Sequence, residues 1–294
     1  MPRVAFLTLE QIDDFVIDDH LIVDELRRRG WDAAEVPWSV PTDWSTFDLV
    51  VIRSTWDYAD RATEFLATLQ AIEASGARLE NPRRVVEWNI DKRYLRELEA
   101  SGVPVVPSVW GNGGTPAIFA GLFTTLQDRE IVLKPTISSG AKDTFRLHAP
   151  LGDPLLQRLV DTFAGRDWFA QPFVRTVIGE GEYSLFYFAG QFSHAIRKVP
   201  KAGDFRVQEE HGGDIIAIPV TPELRRVADR VLTAIAPVPL QARIDLIRLD
   251  NGTLALMEVE LIEPSLYLRM DAGAPSRFAD ALEALLQRQH AAAT

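Results

Sequence analysis

The sequence predicts an α/β fold at the N-terminus followed by an α+β body. Within the first 80 residues, short apolar runs alternate with segments of helical spacing, which is typical of a parallel sheet covered by helices. From residue 131 onward strands dominate, and two alternating apolar runs at residues 242–260 predict a hairpin. The 294 residues are enough for roughly two domains with a large core.

The N-terminal part is expected to alternate strands and helices. We predict strands at residues 4–9 and 47–52 and helices at residues 19–29 and 61–74, the first helix ended by Gly30. Ligands of parallel sheets bind beyond the carboxyl ends of the strands. The turn after the second strand is therefore a candidate substrate-binding region.

This turn, residues 53–58, supplies four candidate substrate ligands: Arg53, Thr55, Trp56 and Tyr58. The planar guanidinium of Arg53 suits bidentate recognition of a carboxylate. The two aromatic side chains either close over a small ligand or pack in the core at a strand end.

The remainder of the chain starts after a boundary at Asn81 and Pro82. A helix is expected at residues 90–101, and further helices at residues 222–236 and 276–289. The expected strands are residues 131–134, 168–174, 183–188 and 191–199, besides those of the hairpin. Pro172 makes residues 168–174 an improbable central strand, because proline cannot donate to a sheet; the segment is either an edge strand or one with free backbone groups.

The hairpin brings three carboxylates together. If Asn251 and Gly252 form a two-residue turn, Asp245 lies directly opposite Glu258, and Glu260 lies on the same face. Like charges across a strand pair are destabilising, so a cation is expected there. Oxygen ligands without histidine or cysteine favour magnesium or manganese over zinc.

Two lysines are candidates for binding an anion. Lys92 is expected in the first turn of a helix capped by Asn89 or Asp91, where a cation is unfavourable unless it serves an anion; taken alone it is more often an exposed lysine. Lys134 ends an apolar run, and lysines are rarely buried without a partner. The small polar loop at residues 138–144 exposes backbone amides suited to phosphate, although most such loops are only solvated.

A second group of cations follows the strand at residues 191–199. Arg197, Lys198 and Arg206 form either a clamp for phosphate or substrate or a solvated loop. There is no Walker A loop, no dinucleotide fingerprint and no GxSxG motif, and the histidines lack zinc-ligand spacing.

Composition excludes several classes of function. The net charge of −11 argues against a nucleic-acid partner, and the absence of cysteine excludes thiol catalysis, cysteine-ligated metals and disulfides. The N-terminus becomes acidic before a signal-peptide core could form, and no apolar run approaches membrane-spanning length. We therefore expect a cytoplasmic protein without a membrane partner; the sequence allows a homo-oligomer but does not specify one.

Taken in order, these features resemble the ATP-grasp superfamily, in particular its glutathione-synthetase-like branch. The resemblance implies an ATP-grasp fold with a Rossmann-like N-terminal domain at residues 1–84, a central lid subdomain at 85–174 and a C-terminal mixed-sheet subdomain at 175–294. The sequence departs from the family pattern in two places. The loop after Lys134 is not glycine-rich, and the third metal-binding position, Glu260, is a glutamate where asparagine is common.

The resemblance also implies roles for individual residues. Asp245, Glu258 and Glu260 would hold Mg²⁺ or Mn²⁺, and Lys198, Arg206 and Arg197 would clamp phosphate. The residues implied to bind ATP are Lys92, Lys134, Ser139, Gly140, Gln171, Phe173 and Val174, with Glu180 or Glu182 at the ribose.

The implied activity is that of an ADP-forming carboxylate–amine ligase that acts on a small amino-acid-like substrate through a phosphorylated intermediate. Residues 53–58 and 257–265 resemble a narrower subgroup, which includes the cyclo-ligase that closes the antibiotic D-cycloserine from O-ureido-D-serine. Two alternatives stay open: a hydrolase using Asp245 and Glu258 as a proton-sharing pair, and a non-catalytic nucleotide- or calcium-binding module.

Overall fold

The structure, a computed structural model, describes residues 1–11, 16–138 and 140–293. Within these residues the strands form three sheets. The strands are β1 Arg3–Thr8, β2 Asp32–Pro37, β3 Leu49–Ser54, β4 Arg78–Glu80, β5 Val109–Asn112, β6 Glu130–Pro135, β7 Phe145–His148, β8 Asp167–Pro172, β9 Glu182–Phe188, β10 Gln191–Val199, β11 Asp214–Ala217, β12 Gln241–Arg248 and β13 Leu254–Glu260. The helices are α1 Asp19–Arg28, α2 Ala62–Ala74, α3 Arg83–Asn89, α4 Tyr94–Ala100, α5 Pro116–Leu126, α6 Asp153–Thr162, α7 Thr176–Gly179, α8 Pro222–Thr233 and α9 Ala274–Ala293.

The N-terminal sheet is parallel throughout, with the strand order β2-β1-β3-β4. Its central strands are buried on both faces, as the continuous apolar runs predict. Arg53 and Ser54 are the last residues of β3 rather than part of the following turn. The predicted α/β start of the chain is therefore confirmed.

A small antiparallel sheet follows, in the order β5-β8-β6-β7, with α5 and α6 packed against it. Here β8 lies between two strands, so the expectation that Pro172 would exclude this segment from a central position is wrong. The proline is the last residue of β8, where the missing N–H interrupts little of the ladder.

The third sheet is antiparallel, in the order β11-β10-β9-β12-β13. Helices α3, α4 and α8 pack on one face, and α9 crosses the other face to reach α1 of the N-terminal sheet. Phe6, Phe186 and Phe278 thus belong to one shared core, which joins the first and third sheets.

The helix predicted at residues 90–101 is shorter than expected, because it begins only at Tyr94. The chain forms α3 and α4 with a break between them, and Lys92 lies in that break, not in the first turn of a helix. The Lys92 N–H donates to the carbonyl oxygen of Thr136, 2.8 Å away, just beyond the end of β6. This bond ties the break to the loop that follows Lys134.

The hairpin has the predicted register, but for a different reason. The turn has three loop residues, and of these Gly252 alone has positive φ, so the two-residue turn at Asn251 and Gly252 is wrong. A longer turn by itself would shift the pairing by one residue. A β-bulge between Asp245 and Leu246 restores it, and Asp245 again pairs with Glu258.

Candidate active site

A cavity of about 550 Å³ lies where the second and third sheets meet the end of the N-terminal sheet. Most of the predicted site residues line it: Trp56, Tyr58, Lys92, Lys134, Gly140, Gln171, Phe173, Val174, Glu182, Lys198, Arg206, Glu258 and Glu260. Residues more than 200 positions apart in sequence therefore share one site. Ser139 lies outside the described residues.

One end of the cavity is apolar. Val132, Phe173, Ile247 and Met257 contribute side chains from both antiparallel sheets. Among the described residues nothing accepts a hydrogen bond from the Val174 N–H, which follows the end of β8. A flat heteroaromatic ring with an acceptor at its edge fits this combination of apolar walls and a free backbone donor.

Lys134 lies at this apolar end. Its Nζ is 3.8 Å from Met257 Sδ and 4.9 Å from the centroid of the Phe169 ring, and it forms no ion pair with a carboxylate of the described chain. Desolvation, reinforced by the charge of Lys92, lowers the pKa of Lys134. A partly enclosed ammonium without a counter-ion is suited to an anionic ligand group.

Lys92 links this end to the carboxylates. Its Nζ donates to the carbonyl oxygen of Ser138 at 2.7 Å and lies 3.1 Å from a Glu258 oxygen. Ser138 and Gly140, from the loop after β6, also line the cavity, and a Cβ at Gly140 would meet open space. Both residues are therefore within reach of a ligand bound in the cavity.

A chain of alternating charges crosses the third sheet. Lys198 lies 2.6 Å from Glu182 and 3.4 Å from Asp245, and Arg243 donates to Asp245 at 3.0 Å and to Glu260. Cross-strand pairing produces this order, because Lys198 faces Glu182 and Arg243 faces Glu260 in neighbouring strands. Three carboxylates thus surround two cations.

The pKa values follow from this arrangement. Burial would raise the pKa of Asp245, but Arg243 and Lys198 outweigh it and hold that pKa below its usual range. Burial raises the pKa of Glu182 despite Lys198, and desolvation with the charges of Glu258 and Asp245 raises the pKa of Glu260 to about 7. Of Asp245, Glu182 and Glu260, Asp245 is therefore the carboxylate most strongly stabilised in its ionised form.

The three hairpin carboxylates do not form a metal site by themselves. No group of three or more acidic or histidine side chains in the described chain could hold a metal ion. Asp245 is 2% exposed and lies behind Lys198 and Arg243. These two side chains, rather than a metal ion, offset its negative charge. Glu258 and Glu260 face the cavity and could hold a metal ion jointly with ligand oxygens.

The backbone that carries Glu258 and Glu260 is fixed from outside the sheet. Because β13 is an edge strand, its outer backbone groups need partners. The Asn89 amide donates to the Val259 carbonyl oxygen and accepts from the Leu261 N–H, both at 2.9 Å, and the Tyr94 hydroxyl bonds both Val259 backbone groups. Asn89, expected as a helix cap, instead positions the acidic strand.

Several predicted site residues do not reach the cavity. Arg53 is 2% exposed and donates to Asp19, to Gln241 and to the Pro264 carbonyl oxygen, so its donors are committed within the chain. The Thr55 hydroxyl is buried without a hydrogen-bond partner among the described residues and does not line the cavity either.

Arg197 and Glu180 also lie outside the main cavity, Arg197 because side chains alternate between the faces of a strand. Arg197 is on the face of β10 opposite to Lys198 and lines a separate surface cavity. Glu180 pairs with Arg248 at 2.9 Å, whereas Glu182, two residues on, faces the main cavity. Of the two alternatives for the ribose, Glu182 is therefore the one with access.

Sequence reasoning did not identify several charged residues that line the cavity, among them Arg243 and Glu263. Arg243 stands two residues before Asp245 on the same strand face, a spacing that could have revealed it. Glu263 lies in an irregular segment after β13, where no periodicity indicates its direction. Burial, with the charge of Glu260, raises the pKa of Glu263 to about 8.

The chain matches known families along most of its length. Residues 4–81 match the family model of the N-terminal domain of D-cycloserine synthetase DcsG, and residues 122–270 match the ATP-grasp domain of prokaryotic glutathione synthetase. The chain is 35% identical over 278 residues to the cycloserine biosynthesis protein DcsG of Streptomyces lavendulae, covering 89% of this chain and 91% of that protein.

Solved structures show the same fold. The crystal structure of D-cycloserine synthetase DcsG superposes with a TM-score of 0.86 at 32% identity, over 97% of this chain and 99% of that one. D-alanine–D-alanine ligase from Bacillus anthracis, complexed with ATP, gives a TM-score of 0.71 at 14% identity over the full length of both chains. The chain therefore belongs to the ATP-grasp superfamily of ATP-dependent ligases, and within it to the DcsG family.

Proposed function

We propose that this protein is an ADP-forming cyclo-ligase that joins a carboxyl carbon to a nitrogen within one small amino-acid derivative. The observation that carries the proposal is that one cavity of about 550 Å³ is lined by apolar side chains, by Lys92 and Lys134, by Glu258 and Glu260, and by Trp56 and Tyr58. We further propose a substrate of the O-ureido-D-serine type, supported by the similarity to DcsG over both halves of the chain.

ATP would bind with its base at the apolar end. The free Val174 N–H supports an acceptor of the base there, and the position of Glu182 supports contact with the ribose. Lys134 and Lys92 would neutralise phosphate oxygens, while the loop after β6 supplies backbone N–H groups. Arg206, which pairs with Asp204 at 2.8 Å and lines the cavity, would exchange this partner for phosphate.

Glu258 and Glu260 fit Mg²⁺, because two carboxylates shared with phosphate oxygens are its usual protein environment. When bound, the ion would neutralise charge that develops on the transferred phosphoryl group. Asp245 would contribute indirectly, by holding Lys198 and Arg243 at the cavity wall. Those two cations would stabilise negative charge on the substrate carboxyl group during phosphorylation and during nitrogen attack.

A carboxylate-pair hydrolase is not favoured. Asp245 and Glu258 are register partners, but Asp245 bonds Ser184, Lys198 and Arg243, and Glu258 pairs with Lys92. Two carboxylates that each hold separate cations do not need to share a proton.

We retain the division into residues 1–84, 85–174 and 175–294 as a proposal, together with a cytoplasmic location, where ATP is supplied. The family matches at residues 4–81 and 122–270 support the first boundary. No described helix combines the length and the apolar character needed to cross a bilayer.

The proposal is tested by incubating purified protein with ATP, Mg²⁺ and O-ureido-D-serine and measuring ADP, phosphate and the cyclic product. We expect ADP release that depends on the substrate and on the metal, with little release for the L-isomer or for pairs of ordinary amino acids. ATP hydrolysis independent of every substrate, or ATP binding without turnover, would contradict it.

A further inference from the structure

The segment that follows β13, residues 261–266, is irregular but fixed along its whole length. Each of its carbonyl oxygens accepts a hydrogen bond from a side chain of another element, at distances of 2.6–3.4 Å. In order along the segment, the donors are Asn81, Gln241, Trp56, Arg53, Arg243 and His194. The donors lie in strands of the first and third sheets or within two residues after them, so the segment is held between the two sheets.

Two side chains of this segment, Glu263 and Ser265, line the cavity. Trp56, Tyr58 and Tyr267 line the same cavity. A platform held by so many bonds resembles a preorganised recognition site, because the geometry of its side chains is set before a ligand arrives.

Glu263 has no cationic partner in the described chain. Glu263 is 9% exposed, and within the described chain no lysine or arginine lies within ion-pair distance of its carboxylate. Each neighbouring buried carboxylate does have such a partner: Asp245 has Lys198 and Arg243, and Asp19 has Arg53. A carboxyl group that faces a cavity and lacks a counter-charge in the described chain is a suitable partner for a cationic ligand group, which would favour its ionised form.

We propose that Glu263 binds the ammonium group of the small substrate, an inference that rests on the proposed ligase function. The aromatic side chains around it suit a cation as well, since their ring faces attract positive charge. Arg243, which bonds the Ser265 carbonyl oxygen, lies on the same wall. An α-amino acid held by its ammonium at Glu263 therefore has its carboxylate directed toward Arg243, the end at which phosphorylation is proposed.

The test compares binding of O-ureido-D-serine and its N-acetyl derivative by calorimetry, with the protein saturated with ADP and Mg²⁺. For the wild type we expect the free amine to bind roughly 10- to 100-fold more tightly, the range of one charge-assisted hydrogen bond. Glu263→Gln should bring the two affinities to within about twofold of each other, and Glu263→Asp should retain part of the preference.

The control variant is Glu64→Gln, which removes an exposed carboxylate paired with Arg61. It should behave as the wild type, and all variants should keep their ADP affinity and melting temperature, which shows that they fold. A wild type without preference, a Glu263→Gln variant that keeps the preference, or no binding of either compound would overturn the inference.

The same samples separate this inference from the ligase proposal. Substrate-dependent ADP release by the wild type without an amine preference contradicts the role of Glu263 alone. An amine preference that disappears in Glu263→Gln, without ADP release, contradicts the ligase function alone.

Discussion

Arg53 and Asp19 form a buried ion pair where the N-terminal sheet meets residues 261–266. Arg53 Nη2 lies 2.9 Å from Asp19 Oδ1, and the two side chains are 2% and 3% exposed. The same guanidinium holds the Pro264 carbonyl oxygen at 3.0 Å. An arginine that the sequence presents as a substrate ligand is thus a structural support for the segment that carries Glu263.

Asp19→Ala is expected to destabilise the protein strongly. Removing one partner leaves the buried guanidinium unpaired, which costs about 3–5 kcal/mol of the free energy of unfolding. Asp24→Ala, on the same helix, removes an exposed ion pair with Arg27, whose charged atoms are 4.0 Å apart. It should lower the free energy of unfolding by at most about 1 kcal/mol. Urea denaturation measures both changes. Equal losses of stability for the two variants would contradict the structural role of the buried Arg53–Asp19 ion pair.

Glu258→Gln should abolish ATP turnover and leave the fold intact. The variant loses a carboxylate that we assign to the metal, and we expect turnover to fall by at least about 100-fold. Glu87→Gln, which alters an exposed pair with Arg83, is the matched control. Near-normal ADP release by Glu258→Gln at saturating Mg²⁺ would remove this residue from the site.

Lys134→Met should weaken ATP binding without strongly destabilising the protein. Methionine has a similar length but no charge, and Lys134 has no counter-ion to lose, so the free energy of unfolding should change by less than about 1.5 kcal/mol. ATP affinity should fall roughly 10- to 100-fold because a charged contact to phosphate is lost. Lys201→Met, at an exposed position, should alter neither quantity. Unchanged ATP affinity in Lys134→Met would place the nucleotide elsewhere.

Acid should destabilise the protein through His194. Burial lowers the pKa of this imidazole from 6.5 to about 4; its ring is stacked on Phe186, and its Nε2–H donates to Leu266. Between these pH values the unfolded chain binds a proton that the folded protein does not, so stability falls as the pH falls through this window. The shift corresponds to about 3 kcal/mol.

This contribution is measured by urea denaturation between pH 7 and pH 4. His194→Gln should lose about 2–3 kcal/mol less than the wild type over that range, whereas His20→Gln, at an exposed position, should follow the wild type. Identical pH profiles for the wild type and His194→Gln would show that this histidine is protonated in the folded protein.

The sequence by itself determined the α/β start, the long strands of the third sheet and most of the charged residues that line the cavity. Apolar periodicity located the parallel sheet and the long strands, because burial of one or both faces imposes a regular pattern on neighbouring residues. Lys92, Lys134, Glu182, Lys198, Glu258 and Glu260 were identified, and all of them line the cavity.

Only the tertiary structure decided where the remaining charges point. Arg53 and Arg243 are both arginines at strand positions, but one bonds Asp19 in the interior and the other lies between Asp245 and Glu260. Glu263 is positioned by side chains from distant elements that bind the backbone of its segment. The hairpin register depends on a bulge that compensates the one-residue shift of the longer turn. Periodicity describes neighbours along the chain, whereas the partner of a buried charge is set by residues brought close only when the chain folds.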